Sequence, residues 1–215
     1  MTLPPEILDE ILEHIPVGDV DGERRTLIAC ALVATWWTAP SQRRLSSSVA
    51  IHDHNYQKGM DGLVLSGLKP HLLGFVHSLT HRRGPLRTGY EIQDLPKDSG
   101  NYHLALRNLR SLTLCNTRFK RIDEGLRTCF SAFRETLTYL SFDTVVVSFS
   151  AFVTLADYFP NIRTLLLHSI VHEDHGEPIP PLSRPLRGKV HVHHSRIPCL
   201  GIFKSFPGWT WSTRS

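Results

Sequence analysis

The chain has no uninterrupted apolar run approaching the roughly eighteen residues needed to cross a bilayer, and its first residues lack the charged start and long apolar core of a secretory signal. Cysteine is scarce: Cys30, Cys115, Cys129 and Cys199 lie far apart, three of them in apolar surroundings, and there is no Asn-x-Ser/Thr sequon. They read as reduced thiols of a chain that stays in cytosol or nucleus. Also missing are a Walker loop, a G-x-G-x-x-G turn and a G-x-S-x-G elbow, which argues against an ordinary nucleotide-binding or hydrolytic enzyme. What is present is ordinary for a folded protein: 215 residues, 41% hydrophobic and 20% charged, with a net charge of +4.

The first sixteen residues carry an amphipathic pattern. Thr2 can act as N-cap, and Pro4 and Pro5 fall where a helix tolerates a missing N–H. Ile7, Leu8, Ile11, Leu12 and Ile15 recur at helical spacing opposite Glu6, Asp9, Glu10 and Glu13, until Pro16 ends the run. The next stretch, Thr26 to Trp37, is apolar nearly all round and is expected to be covered on more than one side, with Pro40 as its stop. Ser41 to Leu45 reads as a last helical turn before a strand-like Ser48–His52.

This opening resembles the F-box, in the form found in fungal F-box proteins with leucine-rich repeats. Leu3, Pro4 and Glu6 match its Leu-Pro-x-Glu start, the aliphatics through Ile15 and the closing Pro16 follow, and Leu32, Val33 and Trp37 supply Leu-Val-x-x-x-Trp. The chain departs from the pattern at Ala34 and Thr35, where Cys-Arg or Cys-Lys is usual, and at Ser46, where Phe is usual. An ordinary helical hairpin closing the end of a repeat domain would use the same stripe with no partner.

Beyond residue 47 the sequence repeats. Leu109-Arg-Ser-Leu112-Thr-Leu114-Cys-Asn116 fits L-x-x-L-x-L-x-N, and Leu137 to Phe142 and Ile162 to Leu167 reproduce its first six positions. Starts at 109, 137 and 162 are 28 and 25 residues apart, within the leucine-rich-repeat range. Leu186 to Val192 is a weaker copy, and Val76 to His81 and Val49 to Ile51 are degenerate earlier ones. Helical returns are expected over 124–134 and 149–159, and a broken surface loop over 83–101. The reading is α+β with repeats: a three-helix domain over 1–46, then over 47–215 a short α/β leucine-rich-repeat solenoid. Its parallel sheet has strands near 49–52, 76–81, 109–115, 137–143, 162–168 and 188–193. Each copy buries about three aliphatics worth roughly 1.5–3 kcal/mol apiece, so no repeat stands alone. The aromatic end, with Phe203, Phe206, Trp209 and Trp211, follows no repeat and reads as a cap or as the edge of a truncated solenoid.

Strand side chains alternate, so the residues between the leucines face out of the sheet. One column is Thr80, Thr113, Ser141, Leu166 and His191; the next is Arg82, Cys115, Asp143, His168 and His193, flanked by Tyr139, Thr164 and Lys189. An exposed Leu166 beside Tyr139, ringed by polar groups, suits a protein partner. Cys115, Asp143, His168 and His193 are also metal-ligand or triad residue types. Zinc, however, needs its ligands within about 2.0–2.3 Å of one point, not a strand spacing apart, so no metal, cofactor or catalytic residue is expected. His168, His172 and His175 around Glu173-Asp174 lack H-E-x-x-H spacing and read as a solvated turn. The short basic clusters at Arg82, Arg83 and Arg87 and at Arg118, Lys120 and Arg121 are not interleaved with aromatics, which disfavours nucleic acid.

The resemblance implies a non-enzymatic, substrate-recruiting subunit of a cullin-type (SCF) ubiquitin ligase. Docking on the SKP-family adaptor, and through it a cullin, would fall to Leu3, Pro4, Leu8, Ile11, Leu12, Ile15, Leu32, Val33 and Trp37. Leu8→Ala is then expected to cost roughly 2–4 kcal/mol of binding. A protein substrate would occupy Thr113, Cys115, Tyr139, Ser141, Asp143, Leu166, His168, His191 and His193. The alternative is an interaction scaffold outside any ligase, its box a structural cap.

Overall fold

The computed structural model describes residues 4–15, 21–52, 70–82, 106–116, 118–119, 124–169, 171–172, 188–193 and 209–214. Three helices come first: α1 (Pro5–Glu13), α2 (Asp21–Val33) and α3 (Thr35–Ser46). The cap of α1 is Pro4, not Thr2, which lies outside the described residues: the Pro4 carbonyl accepts the N–H groups of Ile7 and Leu8 at 3.1 and 3.2 Å, with no side-chain cap. Pro5 takes the first helical position, where its missing N–H is harmless.

The second helical stretch differs from expectation. It breaks at Ala34, extended at φ −158° and ψ 154°, and Pro40 sits inside α3 instead of ending a helix. The Thr38 hydroxyl donates to the Ala31 carbonyl at 2.9 Å and the Trp37 N–H to the Ala34 carbonyl at 3.0 Å, so the last turn of α2 is satisfied by side chain and turn. Pro40 then costs α3 only the bond to the Trp36 carbonyl in its first turn, and the helix continues. Leu8 and Leu12 of α1 and Leu27 of α2 are fully buried together, with Ile15, Cys30, Trp36, Trp37 and Leu45 packed around them. Arg44 of α3 donates to the carbonyls of Glu13 (3.1 Å) and Ile15 (3.3 Å), capping the C-terminus of α1. These helices thus close a small core of their own.

The remainder is mixed α/β. A seven-stranded, wholly parallel sheet is built from β1 (Ser48–His52), β2 (Ser78–Arg82), β3 (Ser111–Cys115), β5 (Tyr139–Asp143), β7 (Thr164–His168), β9 (Gly188–His193) and β10 (Trp209–Arg214), side by side in chain order. A second parallel sheet joins β4 (Arg118–Phe119), β6 (Val146–Val147) and β8 (Val171–His172). A 3-10 turn (Pro70–Phe75), α4 (Glu124–Ser131) and α5 (Phe149–Tyr158) form the returns, α5 capped by Ser148, whose hydroxyl accepts the Ala151 N–H at 3.2 Å. The register aligns Leu79, Leu112, Leu140, Leu165 and Val190 in one row and Leu114, Phe142 and Leu167 in another. The last four of the first row and all of the second are buried, the alternation expected where leucines recur at every second position.

The aromatic C-terminus supplies the last strand of the large sheet. Trp209 to Arg214 pairs in parallel with Gly188 to His193 and is itself a strand, because its Trp-Thr-Trp-Ser-Thr alternation is rich in residues suited to a pleated surface. Phe203 and Phe206, the loop expected over 83–101, and His175 lie outside the described residues. His168 and His172 are not one solvated turn: they belong to β7 and β8, strands of different sheets.

Asn116, Thr144 and Ser169 carry positive φ values of 54°, 56° and 53°, each directly after a strand of the large sheet and before one of the small. These positions re-aim the chain, and asparagine enters the left-handed region more readily than a β-branched residue. Thr144→Asn is therefore expected to stabilise the fold by about 0.5–1 kcal/mol, read as a higher Tm. A lower Tm would mean that the 3.1 Å hydrogen bond from Thr144 Oγ1 to Asp143 Oδ1 outweighs the backbone strain.

Candidate functional site

Two surfaces stand out, one on the helices and one on the sheet. On the helices, burial separates residues that periodicity alone groups together. Leu8 and Leu12 are 1% and 2% exposed, so they belong to the unit's own core and are not free for a partner. The expectation that Leu8 and Leu12 are docking residues is corrected accordingly: they pack with Leu27 in one core, and Leu8→Ala would report folding before binding. Ile15 and Trp37 are half-buried against the same core. Pro4 is exposed, and Leu3 lies outside the described residues.

The apolar side chains that do face outward are Ile7 and Ile11 on α1 and Ile28, Leu32 and Val33 on α2. Leu32 is 81% and Val33 72% exposed, values that decide the matter because the helix was expected to be covered on more than one side. Each helix contributes an i, i+4 pair, Ile7 with Ile11 and Ile28 with Leu32, so each presents a short apolar ridge. Leaving a leucine or valine in water forgoes roughly 1.5–3 kcal/mol of burial. The signal missed in the sequence was Ile28, which lies outside the family-like positions yet shares the outward ridge with Leu32.

On the sheet, the register pairs Thr80, Thr113, Ser141, Leu166 and His191, and Arg82, Cys115, Asp143, His168 and His193, in successive columns. Ser111, Tyr139, Thr164 and Lys189 form the row nearer the strand starts. Exposure is uneven along them. Thr113, Tyr139, Leu166 and His191 are half-buried, so Leu166 is less open than the exposed residue expected. Ser141 and Cys115 are buried and are withdrawn from the accessible face. The His193 side chain lies outside the described residues.

Asp143 and His168 form the one close polar pair described on this face: His168 Nδ1 lies 2.6 Å from Asp143 Oδ1, which also accepts from Thr144 Oγ1. That geometry orients the imidazole. It does not make a nucleophilic site, because Cys115 flanks Asp143 on the far side from His168, two strand spacings or roughly 10 Å away, whereas proton transfer needs contact at roughly 3 Å. Among the described residues no three His, Cys, Asp or Glu side chains gather as metal ligands.

The strand starts carry a further row. The carbonyls of Ser47, His77, Arg110 and Thr138 each accept two N–H groups from the next strand, at 2.8–3.1 Å. His77 and Arg110 are thus neighbours, and the His77 pKa is lowered from 6.5, first by lost hydration and then by the Arg110 charge. The unfolded chain consequently takes up this proton before the folded one, so the contribution is complete above about pH 7 and is lost as pH falls from the unfolded value through the lowered folded one. His77→Gln is expected to lose less Tm than the parent between about pH 7.5 and 5.5. Identical losses in both would discount the lowered pKa.

Comparison with family models, with curated proteins and with solved structures found no match. Among the described residues no helix is long and apolar enough to cross a membrane.

Proposed function

We propose that this chain is the substrate-recruiting subunit of a cullin-type (SCF) ubiquitin ligase. On this reading the three N-terminal helices are an F-box that docks on an SKP-family adaptor, and the strand-and-return units are leucine-rich repeats whose outer face holds a protein substrate. The chain performs no chemistry itself; it acts in cytoplasm or nucleus by holding the substrate near the conjugating enzyme.

The observation that carries the proposal is the outward apolar surface of helices that already close a core: Leu32 and Val33 stand mostly in water, and Ile28, Ile7 and Ile11 each keep over two fifths of their surface there. Leu32 and Val33 are also two of the residues on which the family resemblance rests. For the repeats, the left-handed residues after the strands, at 116, 144 and 169, recur 28 and 25 residues apart, the same intervals as the leucine pattern. Successive strands also pair leucine on leucine.

The test is coexpression with an SKP-family adaptor of three forms: the parent, Leu32→Asp with Val33→Asp, and Leu8→Asp. The parent should copurify. The surface double variant should lose the adaptor while keeping its thermal unfolding transition, since both side chains are already in water. Leu8→Asp, which places a charge in the helical core, should lose both. A double variant that still copurifies would remove the docking assignment and leave the scaffold reading, with the box as a structural cap.

A further inference from the structure

The starting edge and outer rows of the sheet are unbalanced in charge. Arg110 and Arg163 stand at the strand starts, Lys189 and Arg82 lie on the outer rows, and all four are exposed. Among the described residues, none of the four side chains makes an ion pair or a hydrogen bond. The single carboxylate at an outer-row position of the described strands is Asp143. It lies four residues along the strands from Tyr139, roughly 13 Å from the strand starts, and is engaged by His168. Glu135, in the turn before β5, sits 3.7 Å from Arg134.

The cations also stand on neighbouring strands, Arg110 and Arg163 one residue before the row that holds Tyr139, Thr164 and Lys189. The Thr138 N–H donates to the Arg110 carbonyl at 2.9 Å, that of Arg163 to Thr138 at 2.8 Å, and that of Lys189 to Arg163 at 2.8 Å, so backbone hydrogen bonds fix their order from strand to strand. Arg110 to Lys189 spans three strand spacings, about 14 Å, the reach of about four extended residues. Beside these cations lie the half-buried Tyr139, Thr113 and Leu166, which offer an amphipathic ring and modest apolar area instead of further charge.

We propose that this strip binds an acidic peptide segment of a partner protein laid across the strands, with Arg110, Arg163 and Lys189 receiving its Asp or Glu carboxylates. Exposed guanidinium and ammonium groups on a rigid edge supply steering and register, and the neighbouring Tyr139 and Leu166 supply contact area. A nucleic acid fits less well. Tyr139 is the one aromatic side chain described among these rows, too few to stack successive bases, and Asp143 would face its backbone. The inference rests on reading this face as the substrate surface and names the substrate's chemistry.

Fluorescence anisotropy on the full chain tests it, using a labelled peptide of alternating Glu and Ser, its Gln and Ser counterpart, and a single-stranded oligothymidine of equal charge. The Glu peptide should bind and the Gln peptide should not. Arg110→Glu with Arg163→Glu should weaken binding roughly tenfold or more, whereas Arg25→Glu with Arg127→Glu, an equal charge change elsewhere, should leave it within about twofold. The proposal is overturned by no binding, by equal binding of the two peptides, by equal losses in the two variants, or by tighter oligothymidine binding lost with Arg110 and Arg163. Adaptor copurification of the same variants is measured in parallel, so failure here is distinguishable from failure of the ligase reading.

Discussion

Phe142→Ala is expected to be the most damaging single truncation in the sheet domain, lowering stability by about 3–5 kcal/mol, or roughly 6–20 °C in Tm for a chain of this size. Phe142 is fully buried, stands in register between Leu114 and Leu167, and meets the Phe152 ring of α5 at 6.4 Å. It therefore ties three consecutive strands to a return helix. Removing the ring leaves a cavity that rigid strands on either side cannot collapse to fill. Phe142→Leu, which keeps most of the volume, should cost distinctly less. Calorimetric unfolding of both decides: equal losses would mean that ring shape, not volume, governs the site, and a loss under about 1 kcal/mol for the alanine would contradict the packing described.

Gly188→Ala is expected to cost about 1–3 kcal/mol through the opposite fault, too much matter in too little space. A Cβ at Gly188 would lie 2.7 Å from the Arg163 carbonyl oxygen and 3.1 Å from its carbon, both backbone atoms that cannot swing aside. That same oxygen accepts the Lys189 N–H at 2.8 Å, so relieving the clash loosens the start of β9 from β7. β10 pairs only through β9 and would follow. Gly74→Ala serves as the control, since nothing lies within 4 Å of a Cβ there, and it should be neutral. Hydrogen exchange should show faster exchange confined to β9 and β10 in Gly188→Ala. Protection equal to that of the parent would refute the close approach.

The parts of the fold legible in the sequence are those set by local period. Leucines at every second position announce strands buried on one face, and the recurrence of that pattern at 25–28 residues announces parallel neighbours joined by returns. Tyr139, Thr164 and Lys189 could likewise be placed in one row, because a parallel register follows once each strand is aligned by its leucines. The C-terminal strand was illegible for a complementary reason: Trp209 to Arg214 lacks the leucine pattern, and its state is decided by the unpaired edge of β9 that it meets.

Burial was the other matter that spacing could not decide. Leu8 and Ile7 are adjacent in sequence and alike in chemistry, yet one is enclosed by Leu27 and the other faces water. Helical period defines an apolar stripe more than 100° wide but not which of its edges a neighbouring helix covers. The break at Ala34 likewise depends on Thr38 reaching back to Ala31, a contact seven residues long that no propensity encodes. By itself, then, the sequence determined the repeat, the strand faces and the amphipathic helices, because these follow from side-chain period along one element. Only the tertiary structure decided which apolar residues remain outside, that Cys115 and Ser141 leave the accessible face, and how Arg110, Arg163 and Lys189 come together on neighbouring strands. Each of these depends on what a distant segment places alongside.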